Sequence, residues 1–138
     1  MKAVVVLLAV IVAMPAAAAE PLTRTYVAPV DRVWTATEAV LKQLGWEIDS
    51  EDWKIGYITT DSRDLAAAGS KDYGVYAKGT RHRLQLQVKA AGSGRTMVSV
   101  ERMVFRRERI FWHDKDEPMA VSDRAVEKSL LDAIGKAL

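Results

Sequence analysis

The feature that most constrains the fold is an apolar stripe with helical spacing between Val30 and Leu44. Apolar residues recur there at intervals of three and four positions, and the charged residues lie off the stripe. Asp31 lies in the first turn, where a negative charge suits the helix dipole, and Gly45 suits the helix end. A helix with one wide apolar face has to cover that face, so we expect it to lie across a sheet.

Alternating apolar and polar residues elsewhere predict about five strands of an antiparallel sheet. The clearest strand is 80–90, which turns at Gly92-Ser93-Gly94 and returns over 95–105. In the returning strand the alternation slips, which predicts a β-bulge near Glu101 and Arg102. Three shorter strands are predicted, of which the last two form a hairpin with a turn at Glu51-Asp52: 22–28, 46–50 and 53–60.

A second amphipathic helix is predicted near the end of the chain, capped by Ser122 and running to about Ala137. The long connection 61–79 and the charged segment 106–118 separate the remaining elements, and we expect the charged segment to extend the strand and then turn. The resulting order is β-α-β-β-β-β-α. Both helices need the same sheet face, so the pattern predicts an α+β two-layer domain.

The first nineteen residues have the layout of a cleavable secretory signal peptide. Lys2 precedes an unbroken apolar run, Pro15 breaks it, and 17–19 offers the small residues that a signal peptidase accepts. The run is short for a membrane span, although an uncleaved anchor is the alternative. We therefore predict a signal peptide over 1–19, a single domain over 20–138 and a periplasmic location.

The absence of cysteine and the near-neutral charge exclude several classes of protein. The chain has no Cys, which excludes disulfides, thiolate metal sites, cysteine nucleophiles and the acylated cysteine of a lipoprotein. It carries 20 basic and 18 acidic residues, so there is no general attraction to nucleic acid or anionic lipid. We expect no nucleic-acid partner and, at most, peripheral contact with a membrane.

The segment 26–62 combines a strand, a helix and a hairpin with a specific set of residues: Pro29, Asp31, Val33, Trp34, Leu44, Gly45, Trp46, Ile48, Glu51, Asp52, Gly56, Tyr57 and Ile58. In these positions it resembles the helix-grip modules of the BamC family, accessory lipoproteins of the β-barrel assembly machinery in Gram-negative outer membranes. The resemblance implies a helix-grip domain, in which a long helix is held against an antiparallel sheet. It also implies an envelope protein partner or a ligand held between helix and sheet.

No residue pattern predicts catalysis, a metal site or a cofactor. His82 lies in phase with the apolar residues of its strand, and no nucleophile motif accompanies it. The run His113, Asp114, Asp116 and Glu117 lacks the spacing of a metal-binding loop and is typical of a charged surface turn. The prediction is a protein that is not an enzyme.

Arginines, and aromatic residues that lie near turns, in the long connection or in the charged segment, are the candidates for a binding surface. Arginine suits carboxylate and phosphate groups, and aromatic residues are enriched at interface centres. The alternative is a solvated face whose arginines pair with neighbouring acids. The candidate partner-binding residues are Trp53, Tyr73, Tyr76, Arg102, Arg106, Arg107, Arg109 and Trp112.

These patterns together favour a non-catalytic periplasmic module that binds an envelope protein, in outer-membrane assembly or maintenance. The alternative is a periplasmic carrier or sensor of a small apolar or lipidic ligand. A carrier of this kind needs a cavity of roughly 300 Å³ or more beneath the long helix. A core filled by Trp34, Trp46 and Ile48 would count against it. The oligomeric state stays open.

Overall fold

The computed structural model describes residues 20–65, 79–119 and 123–138 of the chain. These residues form an α+β fold with one antiparallel sheet of seven strands and two helices. The elements follow in the order β1 (Leu22–Tyr26), α1 (Val30–Gln43), β2 (Ile48–Asp52), β3 (Tyr57–Thr60), β4 (Arg63–Asp64), β5 (Thr80–Ala90), β6 (Thr96–Ile110), β7 (His113–Met119) and α2 (Ala125–Ala137).

The long hairpin of β5 and β6 forms the centre of the sheet, with Thr80 opposite Arg106 and Ala90 opposite Thr96. On the β5 side, β3 and β4 follow one another along the same edge, and β2 lies outside β3. On the β6 side, β1 pairs with the first part of the strand and β7 with its last part. The end of β6 therefore runs beyond the first residue of β5.

The core lies between one face of the sheet and the two helices. Alternate residues of β5 and β6 point into it, among them Leu86 and Val100, and they meet Leu41 of α1 and Leu130 of α2. All four are buried, and full burial of such a side chain contributes about 1.5–3 kcal/mol relative to exposure. Both helices thus cover the same face, because both carry their apolar residues on one side.

The end of α1 sets the position of Trp46. Gly45 adopts φ +83°, a left-handed conformation that glycine enters without steric cost. The N–H groups of Gly45 and Trp46 then bond to the carbonyls of Lys42 and Leu41, which closes the helix end. The chain reverses here, and the indole of Trp46 is buried in the core cluster just before β2 begins.

The predicted α+β class is confirmed, but the predicted count of five strands is wrong. The structure adds β4, two residues within the connection 61–79, and β7, within the charged segment 106–118. β4 is too short to show a pattern. β7 is exposed along its whole length, so no apolar alternation marks it in the sequence.

The predicted bulge near Glu101 and Arg102 is also wrong. The register of β6 against β5 continues without a break through Glu101 opposite Gln85 and Arg102 opposite Leu84. Arg102 therefore keeps the inward phase of its strand and is buried, with 6% of its surface exposed. An arginine occupies a core position here because a buried histidine accepts a hydrogen bond from it.

The turn between β2 and β3 lies at 53–56 rather than at the predicted Glu51-Asp52. Gly56 explains the position: its φ is +69°, and a Cβ atom there would lie 2.2 Å from the carbonyl oxygen of Val88. Ile58 consequently faces the core. The predicted signal peptide, the Ser122 cap and most of the connection 61–79 lie outside the described residues.

Candidate functional site

The β6–β7 hairpin projects beyond the end of the sheet. Arg106 pairs with Thr80, the first residue of β5, and the N–H of Arg107 bonds to the carbonyl of Gly79. Beyond that point, 108–110 pairs only with 113–115 among the described residues. Three residues in a strand extend about 10 Å. We call 107–116 the arm.

Opposite charges face each other in consecutive cross-strand pairs at the base and along the arm. Such pairs contribute roughly 0.2–1 kcal/mol each, and like charges in these positions repel. The arm has no apolar face, so charge complementarity specifies its register. The four pairs are Arg106 with Glu117, Arg107 with Asp116, Glu108 with Lys115, and Arg109 with Asp114.

Among the described residues, the pair of Arg107 and Asp116 is the one of the four whose side chains form an ion pair. Arg106 and Lys115 form ion pairs along their own strands instead, with Glu108 at 3.5 Å and Glu117 at 3.7 Å. Nε of Arg107 lies 2.8 Å from Oδ1 of Asp116, and Nη2 lies 3.1 Å from Oδ2. This two-point contact is the geometry that guanidinium groups prefer with carboxylates. The hydrogen bond to Arg107 lowers the pKa of the Asp116 carboxyl, and the charges of Arg107, Arg83 and Arg81 lower it further.

Two aromatic residues form the tip of the arm. Phe111 and Trp112 are the two residues between paired Ile110 and His113, and they are 85% and 80% exposed. Their rings lie 6.0 Å apart between centroids. Phe111 has φ +58°, a conformation that tight hairpin turns normally assign to Gly, Asn or Asp. A bulky residue there costs about 1–3 kcal/mol, and such strain concentrates at functional sites.

The predicted surface residues do not form one patch. Arg107 and Arg109 lie on one face of the arm, and Arg106 lies on the other. Each stands opposite a carboxylate. Arg102 is not on the surface at all, which corrects its prediction as a partner-binding residue.

Trp53 lies at the other end of the sheet from Trp112. Its indole is 52% exposed and packs edge-on against Trp34 of α1, with 5.1 Å between centroids. The adjacent turn bonds to Val88 through Gly56, and Val88 lies eight residues along β5 from Thr80, or roughly 26 Å. The structure therefore separates these two tryptophans. Tyr73 and Tyr76 lie outside the described residues.

A polar cluster that the sequence interpretation missed is buried beneath the base of the arm. His82 is fully buried, and its Nδ1 accepts a hydrogen bond from Nε of Arg102 at 2.9 Å. The ring of Trp46 lies 4.7 Å from the imidazole, and the guanidinium of Arg63 lies 3.7 Å from the Trp46 ring. The sequence did contain a signal for the burial of Arg102. Arg102 follows Val98 and Val100 at intervals of two residues, so it lies on the same inward face of its strand.

The electrostatics of this cluster keep His82 neutral. Burial, together with the charges of Arg102, Arg63 and Arg81, lowers the pKa of His82 to about 3. A neutral imidazole can accept the Arg102 hydrogen bond, whereas a protonated one cannot. His82 therefore serves to hold Arg102 in the core.

Two buried oxygens near the first turn of α2 and the start of β5 have no hydrogen-bond partner among the described residues: Oε1 of Glu127 and Oγ1 of Thr80. Burial raises the pKa of the Glu127 carboxyl, against the opposing charges of Arg102 and Arg124. An unpartnered buried oxygen destabilises the fold, by about 1–3 kcal/mol for a polar group. Glu127 is therefore a point of weakness where α2 meets the cluster.

No group of three or more His, Cys, Asp or Glu side chains suited to hold a metal is found within the described ranges. His113, Asp114, Asp116 and Glu117 are spread over both faces of β7, because successive residues of a strand point in opposite directions. None of the described helices is long and apolar enough to cross a membrane. In comparisons with known proteins, no family model matches this chain and no significant match to a curated protein was found.

Proposed function

We propose that this protein is a non-catalytic periplasmic module of helix-grip type that binds an envelope protein through the tip of its arm, in outer-membrane assembly or maintenance. The observation that carries the proposal is the exposed pair Phe111 and Trp112 on a strained turn. Aromatic residues dominate the energetics of protein interfaces, and exposing two of them in water has no benefit to stability.

A protein fits the arm better than a membrane or a nucleic acid does. Residues 106–117 carry four basic and four acidic side chains, so the arm has no net charge to attract phosphate groups. The complementary surface would be an apolar pocket for two rings, with a rim that carries both signs of charge. Such a rim contributes to orientation and specificity more than to affinity.

The envelope setting rests on the expected signal peptide and on the resemblance of 26–62 to the BamC family. The helix-grip type is supported by α1, which lies against β5 with Trp34 and Trp46 in the shared core cluster. Within the described residues, the packing beneath α1 counts against the alternative function, a carrier of an apolar ligand. Trp46, Ile58 and Leu86 are packed between α1 and the sheet, where its cavity would lie.

Site-specific photocrosslinking in cells tests the proposal. We expect benzoylphenylalanine at position 112 to give a discrete protein adduct from the envelope fraction. The matched control is the same group at position 55, because Ile55 is an apolar residue that is 62% exposed at the other end of the sheet. Added purified wild-type protein should compete the adduct away, and the double variant Phe111→Ser, Trp112→Ser should not. Equal adducts at both positions, or competition by the double variant, would contradict the proposal.

A further inference from the structure

A groove lined mainly by charged and polar residues runs along the edge of the sheet beside the arm. It consists of three neighbouring cavities of about 460, 290 and 610 Å³, and Glu47 and Asp61 line all three. The N–H of Asp61 bonds to the carbonyl of Glu47 at 2.9 Å, so the backbone holds these two residues side by side. We call this the edge groove.

The cavity of about 460 Å³ lies beside the arm, and its lining forms two walls of opposite charge. β5 and β6 contribute a basic wall, Arg81, Arg83 and Arg107, around the ring of Phe105. The acidic wall comes from the start of β2 and the end of β3, and consists of Glu47, Asp49 and Asp61. The register explains the division, because Thr59 pairs with Gln85, which brings the end of β3 alongside Arg83.

The basic wall is held in place. Arg81 donates to the hydroxyl of Ser62 at 2.9 Å and to its carbonyl at 2.8 Å. The guanidinium groups of Arg83 and Arg107 lie 6.0 and 5.5 Å from the centre of the Phe105 ring, within the range of cation–π attraction. Phe105 is itself buried, so it forms a fixed floor for these arginines.

The two walls do not neutralise each other. Within the part of the chain that the structure describes, none of the three carboxylates forms an ion pair with an arginine of the basic wall. The walls line one cavity but stand too far apart to pair directly. A ligand with one sign of charge would be attracted by one wall and repelled by the other, whereas a ligand carrying both signs would satisfy both.

We infer that the edge groove binds a short extended peptide segment in which an acidic side chain and a basic side chain lie close together. The inference rests on the proposed function, since the segment would belong to the same partner protein that receives the arm. The acidic side chain would contact Arg81 and Arg83, and the basic side chain would contact Glu47 and Asp61. The adjoining cavities, which share Glu47 and Asp61, give room for the chain on either side of the two charges.

Titration of isotope-labelled protein with synthetic peptides, followed by NMR, tests this inference. The probes are blocked alanine peptides containing one Asp and one Lys, separated by zero, one or two residues, in both orders. Peptides with Asp alone or Lys alone, inorganic phosphate and free lysine are the comparison ligands. We expect at least one two-charge peptide to shift the amide signals of Ser62, Arg83 and Asp61 saturably, with a Kd about tenfold below that of either single-charge peptide.

Variants then assign the binding to the two walls. Arg83→Gln and Asp61→Asn should each weaken the best peptide about fivefold. The control variant Arg95→Gln, an exposed arginine at the opposite end of the sheet, should not change its affinity. Unchanged amide spectra away from the groove establish that each variant is folded.

Three outcomes would overturn the inference: no saturable shift with any two-charge peptide at millimolar concentration, equal affinity for single-charge peptides, or equal affinity for phosphate. A free lysine that binds as tightly as the peptides would assign the groove to a small zwitterion instead, and would overturn it as well. The double variant Phe111→Ser, Trp112→Ser should leave peptide affinity unchanged. Failure of the groove and failure of the arm are therefore measured separately.

Discussion

The two halves of β6 are built by different rules, although they belong to one strand. From Thr96 to Val104 every second side chain is buried against the helices, whereas from Arg106 onward the strand is mostly exposed. In the first half a slip of one residue would move apolar side chains into water. In the second half the same slip would break the ion pair of Arg107 with Asp116 and change which charges face each other at the neighbouring positions. We call the rest of the described sheet, with the two helices packed on it, the body. Burial therefore specifies the register of β6 in the body, and charge specifies its register in the arm.

The largest effect should come from removing an apolar side chain from the body. Leu86 is fully buried on β5, with Ile58 and Val100 opposite it on the two neighbouring strands. Leu86→Ala should lower the free energy of unfolding by about 2–5 kcal/mol in a urea titration. The matched change in the arm, Ile110→Ala, should cost about 0.5 kcal/mol or less, since Ile110 is largely exposed. Equal losses would refute the contrast between body and arm.

The next effect should be an acid destabilisation that originates in the body. Because the pKa of His82 falls from 6.5 to about 3 on folding, the unfolded chain binds a proton between these pH values and the folded chain does not. The stability from His82 is therefore complete above pH 6.5 and is lost as the pH falls toward 3. Between pH 7 and pH 4 the loss should be on the order of 3 kcal/mol.

Urea titrations between pH 7 and pH 4 measure this loss, and His82→Gln should flatten the profile in that range. The arm supplies the control: His113 is the other histidine of the chain, it is exposed, and His113→Gln leaves His82 in place, so the loss of stability that originates at His82 should remain. A wild-type profile that is already flat from pH 7 to pH 4 would show that the imidazole is not held neutral by its surroundings.

Removing the charge of Glu127 should have a smaller effect, and this effect should be a gain in stability rather than a loss. Burial raises the pKa of its carboxyl, so the stability it contributes is present below the unfolded pKa of 4.5 and is lost as the pH rises through the folded pKa. Glu127→Gln removes the charge and keeps the shape. We expect it to raise the free energy of unfolding by roughly 1 kcal/mol at pH 7, whereas the exposed control Glu20→Gln should change nothing. A destabilised Glu127→Gln would mean that Arg102 needs the carboxylate.

The contrast between body and arm also explains what could be predicted from the sequence. The alternation of Leu84, Leu86 and Val88 predicts β5 because one face of the strand is buried. No such alternation exists over 113–119, where both faces meet water. The pairing of 113–119 depends on which of its charges face which charges of β6. This complementarity can be recognised only after the two strands have been aligned.

Candidate binding residues were predictable only where exposure followed from the local pattern. Trp112 lies in a charged segment, and the structure leaves it exposed at the tip of the arm. Arg102 was predicted as a partner-binding residue, with a β-bulge that would take it out of the inward phase of its strand. Its burial depends on His82, which lies 20 positions away and meets it only across the β5–β6 pair. The edge groove likewise requires residues from five strands and the connections between them.

The smallest effect should be the clearest test of charge as the determinant of register in the arm. Arg107→Asp places two carboxylates opposite each other and should reduce the hydrogen-exchange protection of the arm amides by the equivalent of about 0.5–1 kcal/mol. The double exchange Arg107→Asp, Asp116→Arg restores the cross-strand pair and also separates like charges along each strand, because Arg109 and Asp114 keep their signs. Protection should therefore return fully in the double variant, and high salt should weaken it in the wild type as well. If the double variant stays as open as the single one, register in the arm depends on packing around Phe105 rather than on charge, and the body and the arm follow one rule.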